Sequence, residues 1–240
     1  QQADRFLPAF DPGSIRFAAS APESQAVAVL GGSPYSYFRY EMHLAARGAL
    51  QAYQRISGDF EQQFGRDRGA LEAYRCEDAE LVYFMMGSFA SKARDAVDQL
   101  RAAGTRAGLL RPRLLRPYPA ADIAAALTGV NGVAVIDQNL SMGQGGVLHT
   151  ELCASLYGRP GAPSAITSFI GGLGGREITP EEFYEMARIT AEAAASGQVP
   201  PPRLLYTESE LRELRKLQAV AAAERAETSR PAGAGEGRSP

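Results

Sequence analysis

A carboxylate, an amide and a hydroxyl lie close together in Asp137-Gln-Asn-Leu-Ser141, and a glycine run, Gly143-Gln-Gly-Gly146, follows at once. Residues of these types can do two kinds of chemistry. Asp137, Asn139 and Ser141 can fix an ion or a polar group of a substrate. Gly143, Gly145 and Gly146, opening a helix, can turn free backbone N–H groups toward a phosphate. The same residues also make a tight Asx-type turn in which the side chains bond local backbone. The run is not the dinucleotide fingerprint, because the third glycine and the acidic partner do not fit. A second run, Gly171-Gly-Leu-Gly-Gly175 followed by Arg176, has the look of a phosphate loop but lacks the Gly-Lys-Ser/Thr ending. Its alternative is a flexible turn after a strand, with Gly174 and Gly175 letting backbones approach.

Other chemically capable residues are scattered. His149 lies early in the helix after the glycine run, near enough to Asp137 in sequence for acid–base work. No nucleophile is placed beside it, and a packing or surface role is the alternative. His43 lies mid-helix among alanines. Cys76 and Cys153 are far apart and form no metal pattern and no disulfide framework; each reads as an ordinary thiol. Glu77, Asp78 and Glu80 form an acidic cluster, with a solvated edge as its default role. Arg111, Arg113 and Arg116, around Pro112 and Pro117, can hold phosphate or pair with carboxylates of a neighbouring subunit.

The elements that must position these residues follow from periodicity. Residues 1–34 are rich in Pro, Gly and Ser and read as an extended arm, with a short apolar run at Ala26–Leu30 that could pair with a sheet edge. Phe38, Met42, Ala45, Ala49, Tyr53, Ile56, Phe60 and Phe64 recur at helical steps, so 35–73 reads as a long helix and linker. Ser33 or Ser36 could cap that helix, Gly65 ends it, and Gly48 and Gly58 are its soft points. Residues 74–197 read as strand and helix in alternation, with strands at Leu81–Met86, Arg106–Leu110, Gly132–Ile136 and Ala165–Ile170. Thr179, Pro180, Glu181 and Glu182 start the closing helix. The alternation predicts an α/β fold of three layers: a mostly parallel sheet with helices on both faces. Any ligand crevice would open at the C-terminal strand ends. Residues 198–227 read as a Pro-rich linker and a helix capped by Thr207 and Glu210. Residues 228–240 have nothing to bury and read as a disordered tail.

Composition narrows the function. A formal net charge of −2 over 240 residues does not favour nucleic acid. No apolar run is long enough to span a membrane, and the polar opening Gln1-Gln-Ala-Asp4 carries no signal-peptide pattern. A cytoplasmic location fits the sparse cysteines. The missing initiator Met suggests a piece of a longer or processed polypeptide.

Taken in order, Tyr74-Arg-Cys-Glu-Asp-Ala-Glu80, Met86-Gly-Ser88, Leu115-Arg-Pro-Tyr-Pro119, Asp137–Gly146 and Gly172-Leu-Gly-Gly-Arg176 resemble one family. It is the alpha subunit of the pyruvate:ferredoxin-type 2-oxoacid oxidoreductases, in its second, transketolase C-terminal-like domain. The resemblance covers roughly 6–189 and leans to the pyruvate branch. It implies a complex that cleaves a 2-oxoacid on thiamine diphosphate with magnesium. Electrons then pass through [4Fe-4S] clusters to ferredoxin, and the acyl group to coenzyme A. It implies beta, gamma and ferredoxin-like delta subunits and a second alpha subunit as partners. It also implies a mainly structural role for this segment, with no catalytic, cofactor-binding or metal residue of its own. Arg116, Asp137, Asn139, Ser141, Gly143, Gly145, Gly146, Gly174, Gly175 and Arg176 are then loop and interface residues. A non-catalytic assembly domain stays open, as does the matching domain of a 2-oxoacid dehydrogenase beta subunit or a transketolase.

Overall fold

The computed structural model describes residues 2–7, 9–11, 19–20 and 31–228. They fall in two units, Gln1–Arg203 and Leu204–Pro240. The arm expected to be extended instead opens with a short helix, α1 (Gln2–Phe6). The cause is aromatic packing. Phe6 meets Phe60 and Phe64 edge to face, with ring centroids 5.6 and 5.7 Å apart. The run at 26–30 lies outside the described residues.

Phe60 and Phe64 end α2 (Gly32–Phe64), a helix of 33 residues, about 50 Å long at 1.5 Å per residue. Gly48 and Gly58 do not interrupt it. Neither Ser33 nor Ser36 caps it; Gly31 holds the N-cap position with no side-chain bond. None of its residues is buried, and Tyr35, Tyr37, Phe38, Tyr40, Met42 and Ile56 are exposed.

Six strands follow in the spatial order β1-β3-β2-β4-β5-β6. They are β1 (Leu71–Tyr74), β2 (Leu81–Met85), β3 (Ala107–Pro112), β4 (Gly132–Asp137), β5 (Ala165–Ile170) and the two-residue β6 (Arg203–Leu204). Strands β3, β2, β4 and β5 are parallel, as expected. The four-residue β1, which periodicity did not reveal, adds antiparallel to β3. It opposes Pro112 to Leu71 outside the hydrogen-bonded pairs, where a missing N–H costs nothing.

Four helices cover the two faces: α3 (Ala90–Ala102), α4 (Ala120–Ala126), α5 (Val147–Leu156) and α6 (Pro180–Ser196). On one face Val82, Phe84, Leu110, Val133 and Val135 pack with Ile123 and Leu127 of α4 and Leu148, Leu152 and Leu156 of α5. On the other, Tyr83 donates to the Phe183 carbonyl of α6 at 2.5 Å, and Thr167 meets Thr190 at 2.7 Å. Near-continuous burial of β2, β3 and β4 is what a sheet covered on both sides requires. Thr179 and Glu182 form the anticipated capping box of α6.

The Tyr74–Glu80 segment turns β1 into β2. Arg75 has a left-handed backbone, φ 52°, and its carbonyl takes a 2.8 Å bond from Arg101. Arg101 also holds the Ala107 carbonyl and Asp78. A β-carbon on Gly108 would stand 2.7 Å from the Arg75 carbonyl, so a glycine is required there. In the second unit, Thr207 and Glu210 cap α7 (Glu208–Thr228) reciprocally. The expected tail, 229–240, lies outside the described residues.

Candidate functional site

Asp137 ends β4 with its residue 1 % exposed. Its side chain points at the start of α5. Oδ1 accepts from the Leu148 N–H at 2.7 Å, and Oδ2 from the His149 N–H at 3.1 Å. Asn139 donates to Oδ1 at 3.3 Å, while its own Oδ1 accepts from the Val147 N–H at 3.3 Å. Three N–H groups that a helix start leaves unpaired are thus filled by the chain itself. Gly146 sits against the carboxylate: a β-carbon there would lie 1.9 Å from Asp137 Oδ2. Burial pushes the Asp137 carboxyl above its ordinary range, although the Leu148, His149 and Asn139 donors pull it back.

The loop between them is a small hairpin. The Ser141 N–H donates to the Gly145 carbonyl at 2.8 Å, and the Gly145 N–H returns a bond to the Ser141 carbonyl at 3.0 Å. Gly143 and Gly145 have φ of 81° and 113°. At its tip Met142 is 85 % exposed. The second glycine run makes a 3-10 turn at Leu173–Gly175, with Gly174 and Gly175 left-handed. Arg176, just after it, bonds Glu182 at 2.8 Å. Arg116 pairs with Glu151 of α5 and bonds its own neighbour's carbonyl, that of Leu115. The loop residues therefore gather where α5 and α6 begin, while Arg116 joins from the segment after β3.

His149 is not aligned for acid–base work. Its Nε2 lies 3.4 Å from the Ile166 carbonyl and 3.5 Å from Cys153 Sγ. Burial raises the Cys153 thiol, which disfavours the thiolate a nucleophile needs. Cys76 is pushed up to about 11 by burial and bonds the Leu109 carbonyl. His43 stacks on Tyr40 along α2.

A cleft of about 170 Å³ opens between the ends of β2 and β4, lined by Met86, Gly87, Ile136, Asp137, Gln138 and Leu148. The chain leaves β2 toward β3 on one side and later places β4 on the other, so this is the topological switch point where such sheets meet ligands. Sequence reasoning passed over Gln138, whose Nε2 bonds the Met86 carbonyl at 3.2 Å and bridges the two strand ends. Its signal was its place directly after the last strand residue.

The groups present do not fit a diphosphate at α5, because Asp137 and Asn139 already occupy the N–H groups that would receive it. A tetrathiolate iron–sulfur cluster needs four cysteines, and the sequence has two. Among the described residues no three His, Cys, Asp or Glu side chains gather as a metal site, and no helix is long and apolar enough to cross a membrane.

Fold and site together define a doubly wound α/β domain whose helix start at the switch point is closed by an internal carboxylate. Residues 79–183 match the pyruvate:ferredoxin oxidoreductase core domain II. The chain is 38 % identical over 190 residues to pyruvate synthase subunit PorA of Methanothermobacter thermautotrophicus, covering 79 % of this chain and 48 % of that protein. It is 34 % identical over 166 residues to ketoisovalerate oxidoreductase subunit VorA of Pyrococcus horikoshii, 69 % of this chain and 42 % of that one. A slighter likeness, TM-score 0.37 at 26 % identity, joins 58 % of the chain to 21 % of a chain of a 2-oxoglutarate:ferredoxin oxidoreductase from Magnetococcus marinus solved with 2-oxoglutarate, coenzyme A and succinyl-CoA. Over most of its length the chain is therefore similar to subunits of 2-oxoacid oxidoreductases, and its residues 79–183 to their core domain II. It spans about half the length of the curated relatives it matches.

Proposed function

We propose that this chain works as part of the alpha subunit of a 2-oxoacid:ferredoxin oxidoreductase, with pyruvate as the oxoacid. The whole complex would convert pyruvate and coenzyme A to acetyl-CoA and carbon dioxide, handing two electrons singly to ferredoxin. Thiamine diphosphate, magnesium and the iron–sulfur clusters would be held by other parts of the complex. Residues 74–197 act as a transketolase C-terminal-like domain for assembly, reached through an arm (1–34) and a connecting helix (35–73) and followed by a linker helix (198–227). The beta, gamma and delta subunits and a second alpha subunit are the partners.

The observation that carries the structural role is the closure of α5. Asp137 meets two backbone N–H groups and an amide inside the protein, so both of its oxygens are already engaged. The hydrogen-bonded hairpin that follows presents Met142 outward, as a subunit contact would. Asp137, Asn139, Ser141 and the glycines thus shape a docking loop, and Arg116 and Arg176 brace its neighbours. The test is Asp137→Asn in the complex expressed with its partner subunits. Yield of assembled complex should fall while turnover per assembled, cofactor-loaded complex stays near wild type. A general acid or base contributes about 10²–10⁴-fold; a loss on that scale in assembled complex would make Asp137 catalytic.

A further inference from the structure

The far edge of the sheet carries a second feature that the oxidoreductase reading does not use. Glu72 of β1 is 9 % exposed, yet three guanidinium groups converge on it. Arg94 of α3 holds one carboxylate oxygen; Arg113 at 2.5 Å and Arg111 at 3.4 Å hold the other. One negative charge thus faces three positive ones. Beside them Arg94 lies over the Tyr74 ring, and Asp98 binds both Tyr74 and Arg75. Arg66 and Arg68, both exposed, precede the strand. Six arginines therefore share this edge with three acids, Asp67, Glu72 and Asp98. Taking those six and three from the chain's 25 basic and 27 acidic residues leaves 19 and 24, so a surplus of three positive charges here contrasts with five negative ones elsewhere.

The strand itself is open. β1 stands last in the sheet order. Its Ala70 carbonyl accepts from the Arg113 N–H, which fixes the parity of the ladder. Glu72 and Tyr74 bond inward to β3, and the N–H and C=O of Leu71 and Ala73 point outward. Among the described residues no backbone hydrogen bond beyond the sheet reaches Leu71 or Ala73. A strand laid against this edge would place every second side chain on the face of Glu72 and Tyr74, the face on which Arg94 and Arg111 reach Glu72. Charged side chains at an edge often serve to keep strands away. Here their excess of one sign makes the edge selective: it repels a basic strand and attracts an acidic one.

We propose that β1 is a docking edge for an extended acidic segment of a partner protein, added as a strand through Leu71 and Ala73 and held by carboxylates on Arg94, Arg111 and the preceding Arg66 and Arg68. Arg66 and Arg68 stand two positions apart just before the strand, a spacing that suits alternating carboxylates better than a single compact phosphate. The proposal stands apart from the oxidoreductase reading and fails or holds without it.

The test uses the 240-residue chain with a fluorescent ten-residue peptide of alternating glutamate and valine, and a lysine–valine counterpart. At low salt the acidic peptide should bind and the basic one should not, and added salt should weaken binding. Amide exchange by NMR should slow at Leu71 and Ala73. Arg68→Gln with Arg111→Gln, both chosen to leave Glu72 paired by Arg94 and Arg113, should weaken binding about tenfold. Glu72→Gln, which frees the guanidiniums, should tighten it. Equal binding of both peptides, no binding at low salt, or binding without protection of Leu71 and Ala73 overturns the proposal. So does displacement by millimolar inorganic phosphate, which would mark a small-anion site.

Discussion

Two buried carboxylates sit at opposite places in this sheet, and they are held by different physics. Asp137, at the C-terminal end of β4, is met by amide dipoles alone. Glu72, on the outermost strand, is met by whole cations. Desolvation is the first influence on both. For Asp137 it wins, and the carboxyl is raised. For Glu72 it is overcome by the Arg94 bond and the charges of Arg94, Arg113 and Arg111, and the carboxyl is lowered. The dipole-held group fixes local geometry and leaves nothing over. The cation-held group leaves surplus charge facing outward, which a partner can use.

The largest test of this contrast is Gly146→Ala. The new β-carbon must displace the Asp137 carboxylate, and overpacking of this kind costs about 3 kcal/mol in urea unfolding. Adding Asp137→Ala should recover part of that loss, giving a double variant less destabilised than the sum of the singles. If the two losses simply add, Gly146 and Asp137 do not share the space ascribed to them. Asp137→Ala alone leaves the Leu148 and His149 N–H groups short of partners and should cost about 2 kcal/mol.

Acid titration of stability separates the two carboxylates by sign. Glu72 stabilises the fold above its ordinary value of 4.5, and that contribution is lost as the pH falls through its lowered folded value. Glu72→Gln should therefore flatten the acid-side decline. Asp137 behaves oppositely: its contribution is present below 3.8 and fades as the pH rises through the raised folded value. Asp137→Asn should remove a loss on the rising side. Unfolding midpoints between about pH 3 and 7 check both, and slopes of the same sign for the two variants would erase the distinction. The smallest effect belongs to Arg116→Ala. Its side chain is 62 % exposed in the pair with Glu151, so stability should move by less than about 0.5 kcal/mol.

The core of the sheet was legible because its four parallel strands are runs of apolar residues bounded by glycine or charge, and the helices between them keep a clear period. β1 was not, because Leu71-Glu-Ala-Tyr74 is short and its buried members include a glutamate that only tertiary ion pairs make tolerable. The α1 helix escaped for a similar reason: Phe6 is explained by rings more than fifty residues away. At the loop, the residue types of Asp137, Asn139 and the glycines marked the place. Which donors the carboxylate would meet depended on where α5 began. Glu72 carried no spacing signal, and Gln138 only its place after the strand.

The left-handed turn at Arg75 and the bare α-carbon of Gly108 stand 33 positions apart in the sequence and share one small volume. Neither is free to drift alone. A side chain at 108 asks the backbone at 75 to unwind, and an unwound turn takes its carbonyl away from Arg101. Across related proteins, then, the two sites should be inherited as a pair: lineages that lose the glycine should also show a reshaped or lengthened connection between the first two strands, with the arginine of the third helix released to vary.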